Sequence, residues 1–249
     1  MALLNRGEGL QQVQSDDSGQ WVVTVTIDER PMVIEASMSV GEDAINIRAE
    51  ETIFRIPVPD TPSVPAAEFI TPALIMVSAP GSPTRIIQSP FGGSPTTGEL
   101  TIGAIDYDDA GGVIFSGTTS EAGRIRLYAG GQAIGETRIG LGGRWNFIAG
   151  NMLPFGEYVV RAELLRTNAE RVAVSVPFER LPPLGPSQGG EGALSVKFEP
   201  YRWQVRRTLI GGGAQSTVIF APDVILPENP DPTEKDETEK AESEIDGTP

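Results

Sequence analysis

Asp106, Asp108 and Asp109, in the run IDYDDAGG, come closest in type and spacing to a chemical site: three carboxylates able to offer oxygens to a calcium ion. A calcium site takes about six to eight oxygen ligands, and the spaced Asp-x-Asp-x-Asp-Gly loop closed by a Glu is missing. The same residues followed by Gly111-Gly112 spell a turn with side-chain caps and positive-φ glycine. Asp16 and Asp17, before Trp21, carry the same expectation. Any two acids of an acidic chain can be paired on paper as a glycosidase couple, but no pair is marked by an apolar pocket signature. Gly211-Gly212-Gly213 lacks the Lys-Ser/Thr of a phosphate loop and the spacing of a dinucleotide fingerprint. Serines are many, yet the 249 residues include no His and no Cys. That removes a Ser-His-Asp triad, thiol nucleophiles and thiolate or imidazole metal ligands together. No Ser-x-x-Lys motif stands in for them. Neither catalysis nor a metal or cofactor is expected.

Basic residues concentrate once, as Arg202, Arg206 and Arg207 in EPYRWQVRRTL, interleaved with Tyr201 and Trp203. That pattern formally suits a nucleic acid or glycan surface. A net charge of −15, from 19 Lys+Arg against 34 Asp+Glu, argues against nucleic acid, because phosphate contacts need clustered cations. The run predicts a short amphipathic helix with Trp203 and Leu209 packed inward and the arginines solvated. Arg206→Ala is then expected to leave stability nearly unchanged.

Much of the acid lies at the end. From Glu228 onward nine acidic residues face two lysines, with Ile245 the one large aliphatic side chain. Such a segment buries too little apolar area to offset its ordering entropy, so residues 230–249 are expected to form a disordered acidic tail. The opening MALLNRGEGLQQ is short of a signal-peptide apolar region, and no window approaches the roughly 18 apolar residues of a span, so no membrane insertion is expected in this chain.

The elements that position these residues follow from 29 Gly and 21 Pro, which break helices and favour short strands joined by turns. Two stretches repeat. Leu10, Gly19 and Trp21 match Ile134, Gly143 and Trp145 at an offset of 124, and Ala49, Glu50 and Pro57 match Ala169, Glu170 and Pro177 at an offset of 120. The second copy is whole: ELTIGAIDY, VIFSGTT, RIRLYAGGQAIGETRI, RWNFIAG, YVVRAELL and RVAVSVPFER alternate or punctuate as strands of a β-sandwich, with Gly130-Gly131 as a hairpin turn. Trp21 and Trp145 are expected in the cores of their copies. The first copy has nothing matching TIGAIDYDDAGGVIFSG. It is therefore completed either by another chain or by further upstream sequence, and the second is favoured. The expected organisation is a partial module at 1–60, a Pro/Gly-rich linker at 61–98 to which PALIMV adds one strand, a β-sandwich at 99–180, a linker at 181–193, a small segment at 194–229 and the tail.

LTIGAIDYDDAGGVIFSG, GRWNF and PFGEYVVRAELL together resemble the bacterial Ig-like repeats that precede a C-terminal LysM domain in alphaproteobacterial cell-envelope proteins; the likeness covers about residues 2–180. Arg202–Gly213 (RWQVRRTLIGGG) resembles the first helix of a LysM. Thr217–Asn229 (TVIFAPDVILPEN) resembles its continuation in degenerate form, with most of the second helix gone. The resemblance implies a mainly β protein of tandem Ig-like sandwiches, the first truncated, with a small α/β LysM-like end. Trp203, Val205 and Leu209 would be core there, and Tyr201, Arg202 and Arg206 would edge a glycan groove. It further implies a non-enzymatic envelope or periplasmic protein whose partner is peptidoglycan or another N-acetylglucosamine glycan. The alternative is an Ig-like scaffold for a protein partner, with a vestigial LysM.

Overall fold

The computed structural model describes residues 1–27, 29–40, 45–59, 72–91, 100–151, 153–166, 172–183, 193–209 and 213–222. They form strands β1 (Ala2–Asn5), β2 (Glu8–Gln12), β3 (Met32–Val40), β4 (Ile45–Ile56), β5 (Leu74–Ser78), β6 (Arg85–Gln88), β7 (Leu100–Asp108) and β8 (Val113–Thr119). There follow β9 (Arg124–Ala129), β10 (Gln132–Arg138), β11 (Arg144–Ile148), β12 (Gly156–Leu165), β13 (Val172–Arg180), β14 (Leu194–Glu199), β15 (Arg202–Thr208) and β16 (Ala214–Phe220). The chain is mainly β, as its punctuation and period-2 patterns require. Among the described residues the one helical turn is a 3-10 turn at Leu141–Gly143, and no helix is long and apolar enough to cross a membrane.

Three antiparallel sheets result. The N-terminal sheet has the order β2-β1-β3-β4-β5-β6, the outer sheet β10-β9-β12-β13, and the middle sheet β11-β8-β7-β16-β15-β14. One face of the middle sheet packs on the outer sheet, where Ile125, Leu127, Val160 and Phe178 meet Phe115, Trp145 and Val218. Its other face packs on the N-terminal sheet, where Phe54, Ile56, Leu74 and Met76 meet Trp203, Val205 and Ile219. Val218 and Ile219, neighbours in sequence, therefore enter different cores. Packing on both faces explains why β7 and β16 are buried along nearly their whole length, Thr101, Asp106, Ser216 and Thr217 included, whereas burial in β9 alternates.

The order β2-β1-β3-β4 repeats β10-β9-β12-β13. Even the first turn is shared: Arg6 and Gly7 at φ 53° and 83° match Gly130 and Gly131 at 57° and 81°, the left-handed pair a two-residue hairpin demands. The copies part at the tryptophans. Trp145 sits in β11, paired to β8 and 2% exposed. Trp21, expected in a core, is half-buried and outside any strand. The physical reason is the missing partner: among the described residues no strand stands against Trp21 as β8 stands against Trp145.

Two further expectations are corrected. In the described part of the 61–98 stretch the strand expected at PALIMV is β5, and a second strand, β6, stands where extended linker was expected; the two extend the N-terminal sheet beyond β4. The described residues of 194–220 hold three strands and no helix, so β15 and its neighbours stand where an α/β end and an amphipathic helix from Arg202 were expected. Trp203, Val205 and Arg207 project to one side of β15, and Arg202, Gln204 and Arg206 to the other. Both sides meet packed sheets, an environment that favours a strand over an isolated helix. The tail at 230–249 and most of 181–193 lie outside the described residues.

Candidate functional site

The β14–β15 hairpin positions the residues expected to meet a glycan. Tyr201, in its turn, is 42% exposed. Arg202 does not stand free: its Nε and Nη2 donate to Glu199 at 2.8 and 3.0 Å, and its Nη1 donates to the Pro177 carbonyl at 3.3 Å. The Arg202 partner holds the Glu199 carboxyl below its usual range, and Glu199 raises the guanidinium in turn. Arg206 donates to the Pro182 carbonyl at 2.8 Å and lies 3.7 Å from Asp109. Its neighbour Arg207 points to the opposite face, over the Phe54 ring at 5.0 Å, donating to Thr52 at 3.1 Å and lying 3.8 Å from Glu35. Burial pushes the Arg207 pKa down, with Glu35 opposing. The apparent basic cluster is thus split by strand alternation. Tyr201, Arg202 and Arg206 follow one another along the hairpin, but both arginines spend donors on the protein's own chain. Arg202 also borders a hollow of about 530 Å³ shared with Tyr158, Glu157 and Glu179.

The aspartates behave as turn and core groups. Asp108 accepts from the Gly112 amide at 2.9 Å, and Asp109 from the Ala214 amide at 2.8 Å. Asp16 accepts from the Ser18 amide and hydroxyl and the Gln20 amide, and the Ser18 hydroxyl leads in holding its pKa down. Asp106 is buried between the middle and N-terminal sheets. It accepts from the Thr84 amide at 2.8 Å and from the Thr84 and Thr217 hydroxyls at 2.6 Å each. Burial raises its pKa against the pull of these donors. Among the described residues no group of three or more His, Cys, Asp or Glu could hold a metal ion.

The concave feature that the sequence did not disclose lies beside Asp106. The N-terminal sheet leaves part of the middle sheet uncovered, and a groove of about 430 Å³ runs over β7, β8 and β11 against β6. Thr101, Ser116 and Thr118 line its floor, Thr84 and Ile86 its wall, and Phe220 an end. Gly103 sits at a bulge in β7, where the register to β8 shifts. A Cβ there would find only Ile86 Cδ1 and the Ser116 carbonyl, both 3.9 Å away, so the floor is clear. β6 is the last strand of its sheet. The available signal was the glycine inside TIGAIDY, since an isolated glycine in a strand often marks a bulge or a close backbone approach.

Comparison with protein-family models, with curated proteins and with solved structures returns no match.

Proposed function

We propose that this chain is a non-enzymatic cell-envelope interaction protein, built of stacked Ig-like β-sheets, that holds an extended segment of a protein partner in the groove between β6 and the middle sheet. The observation that carries this is the edge of β6, which pairs with no further strand among the described residues, beside a floor cleared at Gly103. A strand added to β6 gains backbone hydrogen bonds, and its alternate side chains drop onto Ile86 and the hydroxyl-bearing floor. The polar side chains that could have served catalysis are engaged otherwise: Asp106 is enclosed by three donors, and Arg202 and Arg206 are tied to the chain. Gly103→Leu fills the groove, its side chain meeting Ile86 at the margin of the N-terminal core. In a crosslinking capture from envelope extracts, a protein retained by the wild type and lost with Gly103→Leu supports the proposal. Equal capture by both chains overturns it.

Peptidoglycan is the second candidate, favoured by one observation: Arg202 and Tyr158 line one hollow, an aromatic and charged setting that suits a sugar, and exposed Tyr201 precedes Arg202 in the chain. Retention on purified sacculi that falls with Tyr201→Ala would support it. No retention at low salt would remove it.

A further inference from the structure

Beyond the groove, the repeated architecture defines a second interaction surface. After β2 the Asp16 amide donates to the Gln20 carbonyl at 2.8 Å; after β10 the Gly140 amide donates to the Arg144 carbonyl at 2.7 Å, the same bond 124 residues on. Gly19 and Gly143 follow at φ 79° and 71°, and each turn delivers a tryptophan two residues later. In the second copy that tryptophan begins a paired strand, with Trp145 opposite Gly117 and Phe147 opposite Phe115 of β8. In the first copy the chain continues as QWVVTVTI with the same alternation: Trp21, Val23 and Val25 are half-buried, Val22 and Thr24 exposed. Val22 is 87% exposed and Ile27 56%. The backbone of Trp21–Ile27 makes no hydrogen bond to any described residue.

The glycines show that the place of the partner strand is open. A Cβ on Gly143 would lie 1.9 Å from the Thr119 carbonyl at the end of β8, whereas a Cβ on Gly19 would meet nothing within 4 Å. A run of β-branched and aromatic residues whose backbone groups have no partner among the described residues has the character of a strand lacking its neighbour.

We propose that Trp21–Thr26 accepts an antiparallel strand donated by a protein partner, with a glycine opposite Trp21 and an aromatic residue opposite Val23. The glycine follows from the second copy. The Trp145 ring lies over Gly117 so closely that a Cβ there would sit 2.6 Å from Cζ2. The aromatic follows from Phe147 facing Phe115, whose rings are stacked with centroids 6.5 Å apart. Main-chain bonds supply the affinity and the glycine the selectivity, the logic of strand addition.

The test uses the full chain and a fluorescent synthetic peptide of residues 112–120 (GVIFSGTTS), followed by anisotropy. The peptide is expected to bind, and the same peptide with valine in place of Gly117 to bind at least about tenfold more weakly. Val23→Pro removes an amide that bonds nothing among the described residues, so it is expected to abolish binding while leaving the melting temperature unchanged. Gly103→Leu is expected to leave peptide binding intact, which separates this surface from the groove. Failure of the peptide to bind, equal affinity for both peptides, or undiminished binding to Val23→Pro overturns the proposal. So does sedimentation showing a dimer that Val23→Pro dissociates, since a second copy would then fill the place assigned to a partner.

Discussion

A carboxylate enclosed by Thr84 and Thr217 fastens the β5–β6 turn to the middle sheet. Asp106 receives three hydrogen bonds, yet burial keeps its pKa above the ordinary value, so folding makes it bind a proton more tightly than the unfolded chain does. The sign follows: its contribution to stability is greatest on the acid side and falls as pH rises from the usual carboxylate range through the raised folded value, then levels. Asp106→Asn is expected to flatten that part of the profile, read as urea midpoints between about pH 4 and about pH 7; a variant with the wild-type slope would contradict the assignment. Arg206 is a second case where environment decides. Its donors serve Pro182 and Asp109, so Arg206→Ala is expected to cost about 1–2 kcal/mol, against the near-zero cost that a solvated helical arginine implies. Thermal denaturation distinguishes the two.

Among elements, the β8–β11 pair is the most exacting. The Trp145 indole rests on bare Gly117, and a Cβ at that glycine would also collide with the Thr101 carbonyl of β7 at 1.9 Å. Trp145→Ala is expected to cost about 3–5 kcal/mol in chemical denaturation, whereas Trp21→Ala costs about 1 kcal/mol or less, because no strand among the described residues stands against it and its side chain is only half-buried. Equal losses would place both rings in equivalent cores. Much of this was legible beforehand. The strands of the second copy follow their alternation and glycine punctuation, and the repeat at offset 124 is visible as the shared order of two sheets. What escaped sequence reading is tertiary. The spacing of Trp203, Val205 and Leu209 suits a helix as well as a strand over so short a run, and only burial on both faces settles it. The groove was hidden for a related reason: no local pattern says where one sheet stops covering another, and the Gly103 bulge acquires meaning only beside β6.

At the scale of the molecule, the C-terminal strands do what a separate end module would not. β16 lies between β7 and β15, so one sheet serves two cores and the N-terminal sheet finds its apolar complement in Trp203, Val205 and Ile219. A half-sandwich with its inner face in water would otherwise expose Phe54, Ile56, Leu74 and Met76, each worth about 1.5–3 kcal/mol on burial. Cooperation across the layers is the expected consequence. Native-state hydrogen exchange at β16 measures it most directly, because amides there open only when both cores open. Amides of Thr217, Val218 and Ile219 are expected to exchange as slowly as those of Ile105 and Phe115, in one unit with the global unfolding free energy. Fast exchange throughout 194–220 beside slow exchange in β7 and β8 would contradict a shared middle sheet.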